Sequence, residues 1–256
     1  MNRQSNLYTI IYSVVLVAIV GVVLSVVYQA LRPRQVENME NDTKRQILAA
    51  ALITPTAGES VADLYAEHIS ESYIVNSTGR RVDTDVDPFT VNVSEQVKKP
   101  FDERLLPVFL CKTEAGEKYI VPVYGAGLWG PIWGYIALDK NGNTIYGAYF
   151  AHQGETPGLG AEIEKPKFRD QFDGKNIFSA QGEFTSVAVS KIGKEPQGQA
   201  WVHAVSGGTI TSQGVQKMLF DSLEPYTAFL KGLKGNASAA TASTETTASE
   251  SKATES

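Results

Sequence analysis

The stretch Ser206-Gly207-Gly208-Thr209-Ile210-Thr211-Ser212 sets four side-chain hydroxyls around two adjacent glycines. The glycines let the backbone approach a ligand closely. An amphipathic helix follows, expected from Gln213, and its unpaired N–H groups and positive dipole end point back at the hydroxyls. An anion, most naturally a phosphate, is stabilised by such an arrangement. The bland alternative is a plain helix-entry loop. A serine-hydrolase elbow is disfavoured, because Ala204 stands where G-x-S-x-G needs its first glycine.

Two further glycine-rich segments could contact a ligand. Gly125-Ala126-Gly127-Leu128-Trp129-Gly130 matches G-x-G-x-x-G to the letter. A dinucleotide fingerprint must open a helix, whereas Pro131 and a β-type run follow here, so that reading fails. What is left is either a hairpin turn with a packed Trp129 or a ligand-contacting loop. The second segment, Gly154-Glu155-Thr156-Pro157-Gly158-Leu159-Gly160, follows a strand and His152, and its glycines and proline make a turn of fixed shape. His152 and Glu155 lack a third ligand nearby, so neither a metal site nor acid–base catalysis is expected there.

Composition narrows the classes. The net charge of −5 comes without a basic block, which argues against nucleic-acid binding. Cys111, the single cysteine, excludes an internal disulfide, a cluster held by this chain's thiolates and a cysteine zinc site. It lies in an apolar run from Leu105 and reads as a small buried hydrophobe.

The elements that must position these loops are α+β. Tyr8 to Tyr28 is an almost wholly apolar run with thirteen Ile, Leu and Val residues. At about 1.5 Å per residue it matches the roughly 30 Å hydrocarbon core, so residues 8–31 are expected to form a single uncleaved transmembrane helix behind a short segment 1–7. Arg32, Arg34, Lys44 and Arg45 outnumber Arg3, which leans toward a cytoplasmic C-terminal domain. A helix is expected from Asn41-Asp42-Thr43 to before Pro55, and another from the Ser60 cap, with His68 as a packing residue. A short strand is placed near 89–93. Strands follow at 118–124, 132–138 and 144–150, the last two joined by an Asn141-Gly142 hairpin. Alternating runs at 184–189 and 200–205 precede the closing helix. The soluble domain is bounded at 32–234. Residues 235–256, free of aromatic and large aliphatic side chains, are expected to be a disordered tail.

One N-terminal span, the Gly-Leu-Trp loop, Glu-Thr-Pro-Gly-Leu-Gly and Ser-Gly-Gly-Thr-Ile-Thr-Ser occur in this order. Together they resemble the C subunits of the sodium-translocating NADH:quinone reductases, in the FMN-binding-domain family that also holds the G subunit of the Rnf complexes. The resemblance covers about residues 5 to 234. It implies a covalent FMN joined through its phosphate to the last threonine of a Ser/Thr-Gly-Ala-Thr motif, here Thr209, with Thr211 as the fallback. Ser206, Gly207, Gly208, Leu128, Trp129, Glu155, Thr156, Leu159 and Gly160 would bind the cofactor. A separate flavin transferase using FAD would make the attachment. Gly208 stands where the family usually has alanine, and His203 where an acidic residue is often found.

The resemblance further implies electron relay beside other subunits of a membrane complex that exports sodium, with neither an NADH nor a quinone site on this chain. It places the folded domain outside the bacterial cytoplasmic (inner) membrane, against the charge lean. Two alternatives stand beside it: an Rnf-type subunit, and an anchored assembly module without covalent flavin.

Overall fold

A computed structural model of the chain describes residues 6–233; the segment 1–5 and residues 234–256, the expected tail among them, lie outside the described residues. The chain divides into two units between Lys44 and Arg45. The first consists of helix α1, which runs Asn6–Ala50 and enters the second unit with its final residues. Its apolar side chains from Ile10 to Leu31 are exposed, and it is long and apolar enough to cross a membrane.

α1 corrects one expectation. No new helix begins at Asn41-Asp42-Thr43; the chain stays helical through them, and the Thr43 hydroxyl donates to the Met39 carbonyl one turn back at 3.0 Å. The helix ends beyond Ala50, where Leu52 takes a left-handed φ of 62°.

The second unit opens with α2 (Val61–His68), whose Asp63 amide donates to the Ser60 hydroxyl at 3.4 Å, the expected cap. His68 Nδ1 lies 2.8 Å from the Lys112 carbonyl, a packing role. Strand β1 (Ile69–Val75) follows. The segment 89–93 is not a strand. Asp87 caps a single turn at Pro88–Thr90, and Asn92 caps the one-turn helix α3 (Val93–Gln96), so two local side-chain caps win over the weak β signal.

Strands β2 (Leu106–Thr113), β3 (Gly116–Ala126), β4 (Pro131–Asp139) and β5 (Ile145–His152) complete an antiparallel meander in chain order. The β4–β5 connection is the hairpin expected at Asn141-Gly142. Gly142 has φ 62°, and Asn141 Oδ1 accepts from the Asn143 and Thr144 amides at 2.9 Å each.

After β5 come α4 (Pro166–Arg169), β6 (Ala188–Ser190), β7 (Trp201–His203) and α5 (Thr209–Leu223). The run expected at 184–189 becomes a strand only at its end, in β6, and the run at 200–205 only in β7, and the two short strands pair parallel with each other. Helix α5 starts at Thr209, four residues before the expected Gln213, which moves the hydroxyl cluster onto its first turn.

Alternation along the strands divides the core. Ile120, Ala137 and Cys111 meet Ile47, Ala50 and Ala51 on one face of the sheet. Burial pushes the Cys111 thiol up to about 11, consistent with an inert packing residue. On the other face Val121, Val123, Ile136 and Leu138 meet Val215, Met218, Leu219 and Leu223 of α5. This packing lays α5 along β3.

Candidate functional site

Three chain segments meet at one end of the sheet: the β3–β4 turn, the loop leaving β5, and the first turn of α5. The β3–β4 turn closes when the Gly127 amide donates to the Gly130 carbonyl at 2.8 Å. Both ends are held in a strand register that runs out to Ala126↔Pro131. Leu128 and Trp129 therefore project from a fixed two-stranded arm. Trp129 is 68% exposed, so of the two readings of this turn the packed Trp is excluded.

The loop after β5 folds on itself. The Thr156 carbonyl accepts from the amides of Leu159 and Ala161, at 3.1 Å each, and Gly158 sits at φ 76°. This leaves Thr156 and Leu159 on the surface and turns Glu155 and Gly160 inward.

Glu155 is the point of convergence. Its carboxylate is buried, with Oε1 accepting from the Trp129 amide at 2.8 Å and Oε2 from the Thr211 hydroxyl at 2.6 Å. One side chain thus ties all three segments. The short O–H···O distance is that of a bond to an ionised acceptor. The glycines around it are required by space: a Cβ on Gly127 would stand 2.5 Å from Oε1, and one on Gly160 would overlap Oε2.

At α5 the two threonines differ. Thr211 is buried, and its hydroxyl is donated to Glu155. Thr209 is the first helical residue, half-buried, after an N-cap Gly208 that supplies no side-chain bond. The first intrahelical bond runs from the Ser212 amide to the Gly208 carbonyl at 2.8 Å, so the amides of Thr209, Ile210 and Thr211 precede the helical ladder. Before them, Ser206 and Gly207 are exposed. Gly207 has φ 73°, and a Cβ there would lie 2.5 Å from Leu159 Cδ2, so the β5 loop rests on the turn that enters α5. Gly208 is less constrained: the nearest atoms to an added Cβ are in the Val205 side chain, at 3.1 and 3.3 Å.

The structure therefore joins Trp129, Glu155, Gly160 and Thr211 directly, and Leu159 with Gly207. Leu128, Thr156 and Ser206 occupy the exposed sides of the same segments, and Thr209 is half-buried at the start of α5. Two groups were not apparent in the sequence. Ser212, buried, accepts from the Val205 amide at 3.0 Å and pins the turn. Gly214 lets α5 touch β3, since a Cβ there would run into the Ala126 carbonyl. A glycine inside an amphipathic helix was the available signal for such a close approach. His152 is a support: its Nδ1 accepts from the Glu155 amide at 3.2 Å, which leaves the ring proton on Nε2, 3.6 Å from Glu164 Oε2.

Comparison with known proteins agrees with this geometry. Residues 127–224, which contain all three segments, match the FMN-binding domain family. The chain is 32% identical over 257 aligned positions to the C subunit of the Na(+)-translocating NADH-quinone reductase of Pseudomonas aeruginosa, covering 91% of this chain and 98% of that one. The corresponding subunit of Pasteurella multocida is 31% identical over 236 positions, covering 84% and 88%. The crystal structure of the same subunit from Parabacteroides distasonis superposes with a TM-score of 0.72 at 48% identity, covering 78% of this chain and 96% of that one. With identity sustained over most of both chains and the same fold, the chain belongs to the family of C subunits of the Na+-translocating NADH-quinone reductases.

Proposed function

We propose that this chain is a single-pass, membrane-anchored flavoprotein subunit that carries FMN esterified through its phosphate to Thr209. It relays electrons within a sodium-translocating NADH:quinone reductase, beside partner subunits that bind NADH and quinone. The carrying observation is the contrast between the threonines: Thr209 opens α5 and is half-buried, whereas Thr211 is 1% exposed and hydrogen-bonded to Glu155.

The residues present fit the group. Gly207 and Gly208 leave room for a phosphodiester, and the first amides of α5 offer it donors worth about 0.3–1 kcal/mol from the helix dipole. Ser206 adds a hydroxyl beside them. Leu128, Trp129 and Leu159 supply exposed apolar surface for a flat ring, and Glu155, Thr156 and Gly160 hold its surroundings. Bound FMN would supply the electron-transfer chemistry, and the protein positions and tunes it.

In this reading α1, long and apolar enough to cross a membrane, is the anchor, and the domain lies on the periplasmic side of the inner membrane. A flavin transferase using FAD completes the site. The test is fluorescence of the denatured protein on a gel after co-expression with an active transferase. The wild type keeps flavin fluorescence and Thr209→Ala loses it; signal that survives Thr209→Ala but disappears in Thr211→Ala overturns the assignment.

A further inference from the structure

Glu155 is 5% exposed, and none of the ion pairs among the described residues involves it. Its charge is balanced by one amide, one hydroxyl and the positive end of α5. Of the titratable groups in the same loop, His152 and Glu164 face each other and Glu162 accepts from the Gly158 amide. Holding the three segments together does not need a charge. A glutamine has the same shape, could accept from the Trp129 amide and donate to the Thr211 hydroxyl, and would cost less to bury. A carboxylate kept there at greater cost serves something besides the clasp.

The geometry points to Glu155 as a charge that lowers the reduction potential of a flavin held at Thr209. This rests on the proposed attachment of FMN to Thr209. Thr211 and Thr209 are two residues apart on one helical turn, roughly 5–6 Å between Cα atoms. Trp129, on the other oxygen, belongs to the arm placed beside the ring. Adding one electron to a flavin there is opposed by a fixed negative charge that water screens poorly. No bond forms or breaks in the step. Thr211 is a positioning residue in this scheme, because its hydroxyl takes up part of the charge.

Two substitutions give opposite signs. Glu155→Gln removes the charge and is expected to raise the potential, by about tenfold in the one-electron equilibrium constant, or ~59 mV. Thr211→Val removes the balancing hydroxyl and is expected to lower it. A purely structural clasp predicts no such opposed pair, since Glu155→Gln keeps both contacts and only Thr211→Val breaks one. The full chain, loaded by the transferase and kept in detergent, is titrated anaerobically with dithionite while the flavin spectrum is followed.

Opposite shifts support the inference; equal signs, or no shift in either variant, overturn it. If Glu155→Gln holds no flavin, Thr211→Val decides alone: a lowered potential supports the inference, and an unchanged or raised one overturns it. Gel fluorescence is read first. A wild type without covalent flavin removes both this inference and the Thr209 assignment. A loaded wild type whose variants show unshifted potentials removes only this one.

Discussion

Gly160→Ala probes the clasp through space alone, without touching any polar group. An ideal Cβ at Gly160 would overlap Glu155 Oε2 and lie 2.6 Å from Thr211 Oγ1. Neither atom has an easy way out. Glu155 is held at its other oxygen by the Trp129 amide, and Thr211 is fixed on a helix whose next residue pins Val205. The substitution therefore breaks a hydrogen bond to a charged group, about 1.5–3 kcal/mol. It also overpacks a closed site, about 1–3 kcal/mol. Together this is roughly 3–6 kcal/mol, set against a total stability on the order of 5–15 kcal/mol. For a domain of this size the thermal midpoint should fall by roughly 6–24 °C.

Two glycines serve as controls. An added Cβ at Gly154 meets nothing within 4 Å, and at Gly208 it meets mainly the movable Val205 side chain. Gly154→Ala should change stability by about 0.5 kcal/mol or less, and Gly208→Ala by about 1 kcal/mol or less. Circular dichroism melts of the full chain in detergent, with flavin loading read in parallel, are the assay. A Gly160→Ala protein that melts within a degree or two of Gly154→Ala would refute the reasoning.

Three further outcomes are expected from contacts away from the clasp. Arg104 donates to the carbonyls of Val97 at 2.9 Å, Lys99 at 3.1 Å and Asp221 at 3.3 Å, closing the 93–105 segment on α5. Arg104→Ala should cost about 2–3 kcal/mol and speed amide exchange at 93–105, and lysine should not rescue it because it lacks the planar fork. Cys111, with its thiol pushed up to about 11 by burial, should resist a thiol reagent at pH 8 in the native protein and react at once in denaturant. Arg81 pairs with Glu71 through both its terminal nitrogens and holds that carboxyl below its usual value. The associated stability is present at neutral pH and is lost as acid protonates Glu71. Because both side chains are largely exposed, Arg81→Ala should remove under about 1 kcal/mol of acid sensitivity in urea unfolding compared at pH 6 and pH 3, and none in high salt.

What could be read from the sequence was what local chemistry decides. Asn141-Gly142 fixes a turn by its own side chain and a left-handed glycine, and Ser60 caps a helix three residues before Asp63, so both were legible. The three glycine segments were legible as places of close approach, and their order carried the family resemblance. The start of α5 was not. Thr209, Thr211 and Ser212 are poor helix formers that favour loops when read alone. They become helical because Glu155, 56 positions away, takes the Thr211 hydroxyl and Ser212 takes the Val205 amide. The same long-range bond holds Thr211 buried while Thr209 stays half-buried, so the choice between Thr209 and Thr211 was invisible in one dimension. Helix α1 shows the reverse error, since Asn41-Asp42-Thr43 carries cap residues yet stays helical. Cap residues mark a helix start only where the chain leaves helical geometry before them.

The most direct test is fragmentation mass spectrometry of the tryptic peptide spanning residues 195–217, taken from protein loaded by the transferase. Thr209 and Thr211 lie in the same peptide, so fragment ions that break on either side of Ile210 are needed to separate them. The fold predicts the FMN mass on every fragment that contains Thr209, and on none that contains Thr211 alone. FMN mass on fragments carrying Thr211 without Thr209, or an unmodified peptide from protein made with active transferase, would contradict it.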